Sequence, residues 1–382
     1  MRDWPCRSLP VSAIADRFGQ SRRRAGALKG HEDVRRQFIG AGLAAALLLT
    51  GCGGSTDSSN EGGSEGATLV IYTNSNSDGK GDWLEAQATD AGFNIEIVGL
   101  GGGDLTNRII AEGGNPVADL VFGLNNMYFE QIKAEDLLEP YTPEWSGDVD
   151  ESLGDGETFW PLVQQGIVLA YNTDAIAEGD APSDWTDLWT DEQYKGRYES
   201  VSTLAGATQQ IIMASILTRY QDESGDLGIS DEGWEQVQGY FENGSKAVEG
   251  EDLFARMAAG TVDMGQMTIS GIPAREAQYG VTAGVMEPEI GVPYAVEQVG
   301  IIKGTDKQDE VERFINWFGS GETQGAFAAE FASLPANQKA LEMTDPEVLA
   351  AYESIPPQEL DWLFIRDNIS QWVEKIELEY MP

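Results

Sequence analysis

Four short stretches hold the residues best suited to chemistry. The first reads Tyr72-Thr73-Asn74-Ser75, the second pairs Gly102 with Gly103, the third carries Asn125, and the fourth is Gly206-Ala207-Thr208. Gln165, Gln266, Ser270 and Glu297 are further polar residues in or beside apolar runs. These are hydroxyls, amides, glycines and one acid. Such groups exchange hydrogen bonds without reacting, and they suit the reversible holding of a small polar ligand. Reactive chemistry is poorly served. The one histidine is His31, and the two cysteines are Cys6 and Cys52. The chain after Cys52 therefore cannot form a Ser-His-Asp triad, a histidine-bound metal site, a thiol nucleophile or a disulfide. Gly101-Gly102-Gly103 is not the dinucleotide pattern G-x-G-x-x-G, and the chain has no Walker A motif. No catalytic residue, no metal ligand and no cofactor is assigned. A secreted hydrolase using two carboxylates is the rival enzyme reading, but nothing singles out one acidic pair among so many. A scaffold or adhesin is the other rival, and the polar turns speak against it.

The elements that must position these residues alternate in type. Leu69–Tyr72 is a β-branched apolar run that empties into Thr73–Gly79, and a helix follows from about Asp82. Phe93–Val98 alternates as a strand and empties into Gly99–Asp104, ahead of a helix with Leu105, Ile109 and Ile110. Ala118–Phe122 is the third strand and empties into Gly123–Asn126. Strand, polar turn and helix in repetition predict βαβ units and a parallel sheet, hence an α/β fold. Ligands of such sheets lie beyond the carboxyl ends of the strands, where helix starts offer free N–H groups.

The same residues resemble the substrate-binding proteins of ABC importers. The likeness rests on Val70-Ile71-Tyr72-Thr73, on Gly102-Gly103-Asp104-Leu105 ahead of Arg108-Ile109-Ile110-Ala111-Glu112, and on Asn115–Gly123. It continues through Trp185, Tyr194-Lys195-Gly196, Gly291–Gln298 and Phe314–Phe318. It points to the subgroup that binds ferric iron, thiamine or phosphonates. The resemblance implies a two-lobed, type II periplasmic-binding-protein fold, with a mainly parallel sheet flanked by helices in each lobe and crossover strands between them. It also implies an ABC permease and its ATPase as partners, and a clamp that closes on its ligand.

The start of the chain reads as an export signal. Arg35-Arg36-Gln37-Phe38-Ile39 opens an apolar, alanine-rich run that ends Leu49-Thr50-Gly51-Cys52. The apolar run is short for a membrane span of about 20 residues, and the paired arginines fit twin-arginine export, with general secretion as the alternative. Leu-Thr-Gly-Cys resembles a lipobox, which makes Cys52 the lipidated first residue of the mature chain. Residues 1–51 are thus read as leader and 52–66 as a Gly/Ser-rich tether. The protein is expected outside the cytoplasm, a monomer held to the membrane only by lipid.

Charge narrows the partners. The chain has 24 basic and 64 acidic residues, of which 9 and 4 precede Cys52, leaving 15 against 60. Such a surface repels phosphate backbones, so no nucleic-acid partner is expected. The acids are spread along the whole chain, which reads as a solvated surface rather than a site.

The first lobe is expected to hold residues 67–164 and 296–340, and the second residues 165–295 and 341–382. Phe159–Val163 and Gly166–Asn172 read as two strands with Gln164 and Gln165 between them. By resemblance they carry the first crossing between lobes. Gln165 is then either a ligand donor or a partner of backbone groups at the hinge. Gly206-Ala207-Thr208 opens a helix after a small-residue loop, the arrangement that holds carboxylate or phosph(on)ate oxygens; ordinary capping by Ser202, Thr203 or Thr208 is the plain alternative. Val262–Met267 is a strand with Thr268–Gly271 as its polar exit, so Gln266 and Ser270 are placed at the cleft. Val292–Ile302 is the returning crossover, and its Glu297 needs a partner, either a ligand cation or an arginine. The tail from Trp362 is a helix expected to pack on the second lobe. The donors of the turns are neutral, and several converging helix starts hold an anion, so the ligand expected is a phosphonate, phosphate ester or carboxylate. Thiamine or its phosphate is the alternative, walled by Tyr72, Tyr128 or Trp160 with Glu297 beneath its charge. Ferric-binding relatives use tyrosine pairs, commonly with a histidine and an acid. The lack of histidine and of adjacent tyrosines after Cys52 demotes that iron site, which leaves iron held through carboxylates, citrate or a few dispersed tyrosines, Tyr72 among them, as a further alternative.

Overall fold

The computed structural model describes residues 67–381. Cys52, the lipobox, the leader and the tether lie outside the described residues. The chain begins as β1 (Thr68–Thr73), α1 (Lys80–Asp90), β2 (Asn94–Gly99), α2 (Gly102–Glu112), β3 (Leu120–Phe122), α3 (Asn126–Ala134) and β4 (Leu138–Glu139). β1 pairs in parallel with both β2 and β3. The reason is the connectivity: each crossover carries a helix, and a strand returned by a helix re-enters in the same direction.

The lobes are joined by β5 (Phe159–Asn172), one unbroken strand where the sequence reads as two. Gln164 and Gln165 do not interrupt it, because both stay in the ladder opposite Val296 and Ala295. Its first half pairs antiparallel with β11 (Tyr294–Ile302), and β11 pairs antiparallel with β3. Its second half pairs antiparallel with β9 (Met264–Thr268) and β10 (Ala283–Val285). Parallel pairing is thus dominant in β2-β1-β3. Around β9 it is limited to β6 (Glu199–Ser200) with β8 (Ser245–Lys246) and to a bridge from Tyr198 to Met264. The whole is a mixed α/β structure.

Between β5 and β9 lie α4 (Asp187–Thr190), β6, α5 (Ala207–Leu217), β7 (Gln221–Asp226), α6 (Asp231–Asn243), β8 and α7 (Leu253–Ala258). α8 (Ile272–Tyr279) follows β9, with Pro273 in its first turn as the sequence predicts. After β11 come α9 (Gln308–Phe318), α10 (Gly321–Phe331), β12 (Leu334–Pro335), α11 (Gln338–Leu341), α12 (Pro346–Glu353) and α13 (Trp362–Glu379).

One apolar core joins Leu69, Ile71, Leu120 and Phe122 to Val311, Phe314, Ile315 and Phe318 of α9 and to Phe327 of α10. Rings pack edge to face there, as in Phe122 against Phe318 at 4.8 Å. Each such buried ring contributes about 1.5–3 kcal/mol, so the returning segment is tied firmly to the β1–β3 sheet. The tail helix touches both lobes. In α13, Trp372 Nε1 donates to Leu227 O at 3.0 Å, and Tyr380 stacks on Trp234, both within the second lobe. Arg366 of the same helix reaches Glu130 on α3 at 3.6 Å, so the helix also touches the first lobe.

Candidate ligand-binding cleft

The strand exits converge as the topology requires. The turn after β1 sits against the exit of β3. A Cβ at Gly123, whose φ is +95°, would lie 2.7 Å from Ser75 Cβ and 2.9 Å from Asn74 Oδ1, so only glycine fits there. Thr73 is buried, and its Oγ1 accepts from Ser75 N at 2.9 Å, which folds the turn back on itself. Ser75 Oγ then donates to Glu297 Oε2 at 2.8 Å. Asn125 caps α3 by accepting from Tyr128 N at 3.3 Å.

Glu297 stands at the floor, where β11 crosses between lobes. Among the described residues no arginine is paired with it. Its partner is the Ser75 hydroxyl, with Lys80 close enough for its charge to act. Burial raises the Glu297 pKa above the ordinary carboxylate range; the Lys80 charge, the Ser75 hydroxyl and the Gln165 amide pull the other way. Gln165 accepts from Ser270 Oγ at 2.8 Å, which links the floor to the exit of β9. Its Nε2 approaches Glu297 but makes no hydrogen bond of ordinary geometry and has no partner among the described residues. Asn74 Oδ1, Asn125 Nδ2 and the Tyr352 hydroxyl share that condition. Tyr352 lies near Glu297 and Tyr294, and burial pushes its phenol well above the ordinary value. Buried polar atoms without partners are rare in folded proteins, and these four lie on residues of the cleft or its floor.

Two helix starts face each other across the lobes. α2 begins at Gly102 and α5 at Ala207, each preceded by a glycine that offers no side-chain cap. A Cβ at Gly102 would lie 2.6 Å from Tyr128 Cε2 and 3.3 Å from Ala207 Cβ. Gly103 faces Ala205 O and Gln210 Nε2 at ordinary contact distance. Tyr128 OH donates to Gln210 Oε1 at 2.9 Å, a buried bond from first lobe to second. This stretch of the interface is in direct contact, with Gly102 and Gly103 against Ala205, Ala207 and Gln210 and the lobes closed on one another.

Two predicted residues belong elsewhere. Tyr72 is no wall of the cleft: its hydroxyl donates to Glu112 Oε1 at 2.6 Å, and Arg108 covers its ring at 4.6 Å. The strand's alternation turns Tyr72 to the α2 face of the sheet. Gln266 spends its oxygen on the Tyr240 hydroxyl at 3.1 Å, within the second lobe, although its Nε2 is left without a partner.

Sequence reasoning missed a second stretch of the interface. Here a cavity of about 230 Å³ lies between Asp78 of the β1–α1 turn and Asp252, Met267, Thr268 and Arg275 of the second lobe. Arg275 Nη2 stands 3.9 Å from Asp78 Oδ1. The signal available in the sequence was a lone cation, one of fifteen after Cys52, placed shortly after a polar strand exit. Among the described residues no group of three or more His, Cys, Asp and Glu is arranged to hold a metal, and no helix is long and apolar enough to cross a membrane.

Known proteins share this architecture. Residues 83–357 match the family model for bacterial extracellular solute-binding proteins. A curated relative from Sinorhizobium fredii, described as a probable ABC transporter periplasmic-binding protein (y4fP), is 34% identical over 316 residues, covering 82% of this chain and 86% of its own. Iron-bound HitA from Pseudomonas aeruginosa superposes with a TM-score of 0.69 at 20% identity, over 82% of this chain and 99% of that one. AfuA from Actinobacillus pleuropneumoniae, with exogenous fructose-6-phosphate bound, gives a TM-score of 0.65 at 19% identity, over 82% and 98%. A Trichodesmium protein in complex with iron and citrate gives 0.63 at 16%, over 82% and 100%. With the type II two-lobed fold and a cleft at its strand exits, this chain belongs to the bacterial extracellular solute-binding proteins, the solute-capturing components of ABC importers.

Proposed function

We propose that the protein captures a small anionic solute, a phosphonate, phosphate ester or carboxylate, and delivers it to an ABC permease without chemical turnover. The observation that carries this reading is the pair of glycine-led helix starts, α2 and α5, that face each other from the two lobes. Each start presents first-turn N–H groups with no partner inside its helix, and each favours negative charge by about 0.3–1 kcal/mol. The buried amides of Asn125 and Gln165 add N–H donors that lack acceptors. A ligand rich in oxygen acceptors would satisfy all of them. Capture requires the Tyr128–Gln210 contact to part, admit the ligand and reform around it, so the ligand stabilises the closed form by its differential affinity. The lobes in this reading are residues 67–164 with 296–340 and residues 165–295 with 341–382. We also propose that the mature chain begins at lipidated Cys52; intact-mass analysis of native protein with any other N-terminus would remove that part.

The thiamine reading loses two of its three walls. Tyr72 is committed to Glu112, and Trp160 is buried in the first-lobe core with Nε1 on Tyr141 O. An iron–citrate ligand, as in the Trichodesmium neighbour, remains in the same acceptor-rich class and is the second reading. Thermal melting against methylphosphonate, sugar phosphates, carboxylates, ferric citrate and thiamine tests both. A binding anion raises stability by about 2.7 kcal/mol at a hundredfold excess over Kd. Ala207→Asp sharpens the test: its carboxylate suits a helix start and takes the anion position, although it loosens the packed contact with Gly102. Stabilisation by thiamine or free iron alone, or anion binding unchanged in the variant, would overturn the proposal.

A further inference from the structure

Arg275 is built as a prepared but under-used anion contact. Its Nε donates to Asp252 Oδ2 at 2.8 Å, and its Nη1 donates to Gly271 O at 3.2 Å. Asp252 is fixed in turn by capping α7, where it accepts from Phe254 N at 2.8 Å. These bonds come from inside the second lobe and set the plane of the guanidinium. Nη2 is left pointing across the lobe interface to Asp78, at 3.9 Å. That distance is too long for a hydrogen bond, and the Asp78 side chain is 58% exposed. The contact is therefore Coulombic and loose. Beside it lies Thr268, the last residue of β9, which lines the same cavity of about 230 Å³. A planar fork with two arms fixed and one free is suited to an incoming carboxylate or phosphoryl oxygen. Asp78, Glu251 and Asp252 also line the cavity, so its lining is acidic overall and the Arg275 guanidinium is the one cationic group in it that an acidic ligand group can meet.

We infer that Arg275, with Thr268 beside it, binds a second acidic group of the ligand, and that Asp78 holds that group's place when the cleft is empty. The inference rests on the anionic-ligand reading above and narrows it. The cavity shares no residue with the contact between α2 and α5. A ligand that uses both stretches carries two acidic ends, as a dicarboxylate or a phosphorylated or phosphono-substituted acid does. Asp78 lies on the first lobe and Arg275 on the second, so the incoming group replaces one inter-lobe contact with another made through the ligand.

Calorimetric titration of the full chain with phosphonoacetate and succinate, against methylphosphonate and propionate, tests this. The two-ended acids should bind about tenfold or more tightly than their one-ended analogues. Arg275→Gln should reduce the two-ended acids to the one-ended level, Arg275→Lys should restore part of the loss, and Asp78→Asn should tighten them by removing the competing carboxylate. Asp78 is exposed, so this last variant carries no folding risk and moves affinity in the opposite direction. If Arg275→Gln binds phosphonoacetate and succinate like the parent, or if neither binds the parent, the inference falls. Loss of binding in Ala207→Asp alone keeps the helix-start reading and removes Arg275. Loss in Arg275→Gln alone keeps Arg275 and removes the helix-start reading.

Discussion

The two stretches of the lobe interface are closed by different physics. Where α2 meets α5, the lobes touch through glycines, Ala207 and a neutral buried hydrogen bond from Tyr128 to Gln210. Where the β1 exit meets α8, they are held apart by a cavity and related only by a long ion pair. The first is short-range and intolerant of added atoms. The second is long-range, open to water and weakened by salt. A clamp made of one stretch of each kind can register position at the packed side and exchange partners at the charged side.

The largest effect is expected from Gly102→Ala. Its new methyl would lie 2.6 Å from Tyr128 Cε2, so the packed stretch must shift. Overpacking of this kind costs about 1–3 kcal/mol, visible as a lowered melting temperature. An unchanged melting temperature would show that the Tyr128 ring moves away from the start of α2 at little cost.

Glu297, bonded to Ser75 at the cleft floor, separates burial from charge pairing. Its pKa is raised chiefly by burial, so the folded state binds the extra proton. Stability is then lost as pH rises from the ordinary carboxylate range through the raised value, and is level beyond it. Glu297→Gln removes this loss. The variant should be more stable than the parent at neutral pH, with the gap closing as pH falls into the ordinary carboxylate range. A variant less stable at neutral pH would mean that Lys80 and Ser75 outweigh burial.

Tyr128→Phe should cost about 1 kcal/mol, since it removes one neutral hydrogen bond and leaves Gln210 Oε1 unmatched. The effect should be the same in low and high salt. Asp78→Asn is the smallest: without ligand it should change stability by no more than a few tenths of a kcal/mol, and only at low salt. Equal salt dependence in the two variants would erase the distinction between the stretches.

Much of this was legible in the chain. The β1, β2 and β3 exits announce themselves because an apolar β-branched run gives way to Ser, Thr, Asn and Gly, and periodicity is a local property. α9 shows its buried face at Val311, Phe314, Ile315 and Phe318 for the same reason. Residue roles were harder. Tyr72 and Thr73 are neighbours, yet one hydroxyl serves Glu112 and the other the turn to Ser75, because strand alternation separates them. Arg275 gave no local sign of its importance, since its meaning depends on Asp78, which is distant in sequence and on the opposite lobe. The sequence reads the unbroken β5 as two strands because Gln164 and Gln165 look like a loop, whereas β11 supplies a ladder partner to both and β12 a second one to Gln164. β7 was missed because Gln221–Asp226 has almost no apolar residue, and its pairing is with Ile229 just beyond the turn.

β5 has a mechanical consequence. A strand of fourteen residues is gripped at one end by β11 and at the other by β9 and β10, with Leu162 bulged out where the register to β11 slips beside Glu297. It works as a flexure, a continuous beam clamped at both ends, and not as a pin joint. Bending is shared along many bonds, and the beam returns to its rest shape when the load is removed. The rest shape is set by the bulge, which adds twist at one point along the beam. The lobes are therefore sprung, and the angle at which they settle is written into the pairing of a single strand.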